Sequence, residues 1–76
     1  MNLRDNISKL HITYLGNERI KKNLGIDGDT INYCKKIIMN DGTKIDVRGK
    51  NYYVRYQHIE IVVNASSYTV ITAHIR

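Results

Sequence analysis

Thr43-Lys44-Ile45-Asp46-Val47-Arg48-Gly49-Lys50-Asn51-Tyr52-Tyr53-Val54-Arg55-Tyr56 is the stretch that decides the fold. Residues 43–48 alternate polar with apolar at every second position, the period of a half-buried strand. Gly49-Lys50 supplies a turn, and residues 51–56 form the returning strand of a hairpin. Gln57-His58 is the next tight connection. Ile59, Ile61 and Val63 then mark a third strand over residues 58–64. Asn64-Ala65-Ser66 turns the chain again, and residues 67–76 read as the fourth and longest strand.

Upstream of Thr43 the period is 3.6 instead of 2. Leu3, Ile7 and Leu10 have helical spacing over residues 3–10. Thr13 caps a second helix over residues 14–24, whose stripe is Gly16, Ile20 and Leu24 and which Gly25 ends. Asp29 or Thr30 starts a third helix over residues 30–39, with Ile31, Cys34, Ile37 and Ile38 on its buried side and Asn40-Asp41-Gly42 as its stop. The expected fold is α+β, with two to three N-terminal helices packed on one face of a four-stranded antiparallel meander. The 76 residues suffice for one domain spanning 1–76.

Composition narrows the function classes. Twelve Lys and Arg against seven Asp and Glu give a net charge of +5, a balance that favours a polyanionic partner, nucleic acid above all. Six Tyr with no Trp or Phe add stacking faces that carry hydroxyls. The single cysteine, Cys34, excludes an internal disulfide and fits a reducing cytoplasm. His11, His58 and His74 show no zinc spacing, so neither a metal nor a cofactor is expected. No apolar run reaches bilayer length and no signal-peptide pattern opens the chain, which argues against a membrane.

Strand alternation also sorts a face turned away from the helices. With Ile45, Val47, Ile59, Ile61, Val63, Ile71, Ala73 and Ile75 inward, and Tyr52, Val54 and Tyr56 favoured inward, the rest stand outward. The outward set is Arg48, Tyr53, Arg55, Glu60, Asn64, Tyr68, Thr72 and His74, along with Lys44, Asp46, Val62 and Val70. Arginine clamps a phosphate, and His or Glu moves the protons of metal-free phosphodiester cleavage. The same set suits plain RNA binding through charge and stacked tyrosine, or a solvated face with cross-strand pairs such as Arg55 with Glu60. Arg19 and Lys22 on one flank of the second helix, and Lys50 at the Gly49 turn, are further candidate nucleic-acid contacts.

Leu10-His11 with Thr13, Leu15-Gly16, Glu18-Arg19-Ile20 and Asn23-Leu24 resemble the opening of a small bacterial family, domain of unknown function 3781. Arg48-Gly49-Lys50-Asn51 with Tyr53, Asn64-Ala65 and Ser67-Tyr68-Thr69-Val70-Ile71-Thr72-Ala73-His74 resemble its second half. More remotely, the helices-then-sheet order and the last strand look like the RNase-toxin superfamily of barnase, EndoU, the colicins and RelE. That resemblance implies a metal-independent endoribonuclease, active or degenerate. The matching positions are His11, Arg48, Thr72 and His74, with Tyr68 and Asn64 nearby. In that reading His74 or His11 moves the proton, Arg48 and Lys50 hold the phosphate, and Thr72 and Tyr68 position it. The alternative is a non-enzymatic phage or mobile-element inhibitor or adaptor. Its protein partner would be a host nuclease complex, as an antitoxin would be for a toxin; a homodimer through a sheet edge is a third arrangement.

Overall fold

The structure, a computed structural model, describes residues 2–76. Its order is a short 3-10 helix, Arg4–Lys9, then α1 (Tyr14–Leu24), α2 (Thr30–Met39), β1 (Lys44–Arg48), β2 (Asn51–Tyr56), β3 (Ile59–Asn64) and β4 (Val70–Ile75). The strands lie in chain order, each antiparallel to the next. The helices pack on one face of this sheet, the α+β architecture that the change of period implies.

Local chemistry sets the boundaries. The Thr13 side chain accepts from the Gly16 amide at the start of α1, and Gly25 closes that helix in the left-handed conformation. Asp29 accepts from the Asn32 amide at the start of α2. The first helix is 3-10 rather than α and breaks at Asn6 (φ −114°, ψ 24°). It still delivers Leu3 and Leu10 to the core. Arg4 fixes it there. Its Nε donates to the Ile38 carbonyl at 2.8 Å, and its Nη2 donates to the carbonyls of Asn40 and Thr43 at 3.0 and 3.2 Å. One guanidinium thus ties the N-terminal segment to the end of α2, where carbonyls lack helical partners.

The core gathers Ile20, Cys34, Ile37 and Ile38 from the helices against Tyr52, Val54, Ile61, Val63, Val70 and Ala73 from the sheet. The second strand has the expected register, with Tyr52 and Val54 inward and Arg55 opposite Glu60. The last strand differs from the expected alternation. A β-bulge shifts the register between Val62 and Val63, so that Val63 opposes Val70 while Val62 opposes Thr72. Ile71 is the extra residue. Val70, expected outward, is therefore 1% exposed, and Ile71, expected inward, is 41% exposed. Tyr68, expected outward, also lies in the core, where its ring stacks on Tyr52 with centroids 6.4 Å apart. Tyr68 has φ +60°, so regular strand geometry does not extend back to Ser67. Val47 and Ile75, on the two edge strands, have the expected parity but stand exposed.

His11 adds a single parallel bridge beside the start of β4. Its amide donates to the Tyr68 carbonyl, and its carbonyl accepts from the Val70 amide. Farther along, the Asn23 side chain donates to the Ala73 carbonyl at 3.3 Å. Gly16 has the backbone carbonyl of Val70 only 3.7 Å from where a Cβ would stand. Helix α1 therefore lies along β4, and β1 forms the opposite margin of the sheet.

Candidate functional site

Pairing registers arrange the outward face in three rows across the strands. The first row runs Lys44, Arg55, Glu60, His74; the second runs Asp46, Tyr53, Val62, Thr72; the third runs Arg48, Asn51, Asn64. Successive rows are two residues, or roughly 7 Å, apart along the strands.

The first row converges on Glu60. Oε2 accepts from Arg55 Nε at 3.0 Å, and Oε1 lies 3.3 Å from His74 Nε2. The Glu60 side chain is 15% exposed, against 35% for Arg55 and 42% for His74. A half-sheltered carboxylate is thus held between a guanidinium and an imidazole, both within solvent reach. Only Nε of Arg55 is used in this contact, so its terminal nitrogens remain for an anion. Carboxylate, imidazole and guanidinium together can take a proton, give a proton and neutralise an oxyanion.

The middle row is apolar where it crosses β3. Val62, on the outward side, is only 7% exposed. Half-buried Tyr53 and Thr72 flank it, and the Arg48 guanidinium lies 5.8 Å from the Tyr53 ring centroid.

The third row leads into a polar cluster built by the β3–β4 connection. Asn64 Oδ1 accepts from the amides and hydroxyls of both Ser66 and Ser67. Ser67 Oγ lies 2.8 Å from Thr69 Oγ1, and that hydroxyl lies 2.8 Å from His11 Nε2. His11 Nδ1 is 3.0 Å from the Lys9 carbonyl. A carbonyl can only accept, so the Nδ1–H of His11 donates to it. Lys50 adjoins this end, its carbonyl accepting from the Ala65 amide.

These positions redistribute the sequence-derived candidates. His74, Arg55 and Glu60 come together, and Tyr53 and Thr72 lie one row away. Arg48 and Lys50 do not join His74: pairing places Arg48 three strands over and two rows down, close to 20 Å away. His11 borders Thr69, five residues from His74 along the chain, so the two histidines serve opposite ends of the sheet. Tyr68 leaves the outward face for the core, where burial and the adjacent Tyr68 hydroxyl raise the pKa of Tyr52. The Asn64 side-chain oxygen is occupied by the turn that it closes. Arg19 and Lys22 are exposed on α1, outside these three rows.

Glu60, as the hub, and Lys44, beside Arg55, stand in the outward set but gain a site role only from the pairing registers. Their signal was the alternation together with the Arg55–Glu60 pairing. The Ser67–Thr69–His11 chain depends on the N-terminal segment returning to β4, which no local spacing reveals. A cleft of about 280 Å³ lies elsewhere, between the starts of α1 and α2, and is lined by Thr13, Tyr14, Asn17, Asp29 and Thr30 among others. Asp29 there is engaged in the cap of α2. Among the described residues no group of three His, Cys, Asp or Glu side chains is arranged to hold a metal ion. No helix among them is long and apolar enough to cross a membrane.

Helices on one face of an antiparallel meander, with a charged and aromatic opposite face, define the class of protein. Residues 4–74 match the family described as Protein of unknown function (DUF3781), and the chain belongs to that family. No curated protein matches the chain, and no solved structure does.

Proposed function

We propose that this protein is RNA-directed and acts as a metal-independent endoribonuclease of the kind found in the RNase-toxin superfamily, from the outward face of its sheet. The observation that carries the reading is Glu60 held between Arg55 and His74. On binding, a phosphate takes up the terminal nitrogens of Arg55, with Lys44 beside it in the row. The Glu60 carboxylate accepts the proton of the 2′-hydroxyl as that oxygen attacks phosphorus. Protonated His74 donates to the 5′-oxygen as the phosphorus–oxygen bond breaks. The products are a 2′,3′-cyclic phosphate and a 5′-hydroxyl, and no outside reactant is consumed. Thr72, one row away, positions the strand.

Incubation with mixed tRNA and mRNA in EDTA tests this. Discrete fragments ending in 2′,3′-cyclic phosphate are expected from the wild type, and none from His74→Ala or Glu60→Gln. Both pairs are partly exposed and contribute on the order of 1 kcal/mol or less each, so His74→Ala should lower the melting temperature by less than about 8 °C and Glu60→Gln, which breaks both pairs, by less than about 16 °C. Intact RNA throughout would remove catalysis, and a gel shift without cleavage would leave a degenerate, binding form.

A second reading, a protein-binding inhibitor or adaptor, is favoured by Tyr14 and Leu15. These neighbours on the first turn of α1 are 76% and 73% exposed, an unusual placement for adjacent large apolar side chains. A stoichiometric protein complex lost in Leu15→Asp, with no turnover of RNA, would support it.

A further inference from the structure

We propose that the ligand of the outward face is a single strand lying along the β-strands and spanning all three rows, so that full affinity needs at least three nucleotides with unpaired bases. This deepens the RNA-directed reading and rests on it. The two cationic regions stand at opposite ends of the face, Arg55 and Lys44 in the first row, Arg48 and the adjoining Lys50 in the third. The backbone rows that carry them are separated along the strand direction by about 13 Å, and the Arg48 guanidinium leans back from its row toward Tyr53. Two phosphates two steps apart in an extended strand bridge that gap, whereas one phosphate occupies only one end.

Between the ends the face is not charged at its centre. Tyr53 and the sheltered Val62 offer an apolar platform, and the Arg48 guanidinium already lies near the Tyr53 ring. A base can stack there only if it is turned toward the protein, which a paired base inside a duplex cannot do. Asp46, beside Tyr53 in the row, repels the phosphate that lies between the two anchored ones, so that phosphate faces solvent and a base faces Tyr53. The alternation of cation, aromatic and cation along the strands thus matches two anchored phosphates two steps apart with a base turned inward between them.

Fluorescence anisotropy with labelled 2′-O-methyl oligouridines, which cannot be cleaved through the 2′-oxygen, separates the possibilities. Lengths of two and four nucleotides and a paired duplex of 2′-O-methyl strands would be compared in EDTA at fixed salt. The tetranucleotide is expected to bind at least tenfold more tightly than the dinucleotide or the duplex. Arg48→Ala and Tyr53→Ala should each remove most of that gain. Arg55→Ala should weaken both lengths. Equal affinity for the two lengths, equal affinity for the duplex, or indifference of the tetranucleotide to Arg48→Ala and Tyr53→Ala would overturn this inference and leave RNA direction standing. No binding of any oligonucleotide would overturn both.

Discussion

Arg4 shows how one side chain can hold a small fold together. It donates to three carbonyls on the far side of the chain, at and just after the end of α2, and it is only partly exposed. Hydrogen bonds from a charged donor are each stronger than neutral ones, and removing the donor strands the acceptors. Arg4→Ala is expected to cost about 2 to 3 kcal/mol in urea denaturation, and Arg4→Lys to recover only part, because a point charge cannot reach three carbonyls in a fork. Cys34 makes a second case. It is fully buried in the core, and burial pushes its thiol up to about 11 from an ordinary 9.0. The unfolded thiol therefore loses its proton first as pH rises. The contribution is fully present below pH 9 and is lost between about 9 and 11, where it lowers stability by about 2 to 3 kcal/mol. Denaturation midpoints of wild type and Cys34→Ala across that range would show it, since the variant should lack this part of the decline. Folded protein should also resist thiol reagents at pH 8.

At the scale of elements, the decisive feature is the bulge between Val62 and Val63. Val70→Ala should cost about 2 kcal/mol, and Ile71→Thr well under 1, the reverse of what unbroken alternation through β4 implies. Chemical denaturation of the two variants settles the order. The helices and strands were legible because caps and periods are local: Thr13, Asp29, Gly25 and the alternation of residues 43–48 state them directly. The bulge was not, because Val70 and Ile71 are both β-branched and apolar, and either can face inward. Tyr68 was misplaced for a second reason: it precedes β4 with φ +60°, so strand parity does not apply to it. The candidate site was legible in its members and not in its grouping. Parity gave the outward set, but only register shows that Glu60 joins Arg55 to His74 while Arg48 lies at the other end.

For the whole molecule, the sheet has two margins with different treatment. His11 and Asn23 cover parts of the β4 margin, while β1 stands open with Lys44, Asp46, Val47 and Arg48 all exposed. A homodimer through a sheet edge would therefore use β1. Alternating charges on a short strand work against such pairing, so a monomer is expected in sedimentation velocity over a wide concentration range. A dimer dissolved by Val47→Pro would reverse that expectation. With β1 unpaired, the three rows of the outward face form one surface on one chain, where excess positive charge meets a carboxylate, an imidazole and an aromatic ring. The central claim is that RNA is engaged on this surface. Its most direct test is amide chemical-shift mapping of labelled protein titrated with an uncleavable 2′-O-methyl tetranucleotide. The largest shifts are expected at Tyr53, Arg55, Glu60, Val62, Thr72 and His74; absent shifts, or shifts confined to α1 around Tyr14 and Leu15, would contradict it.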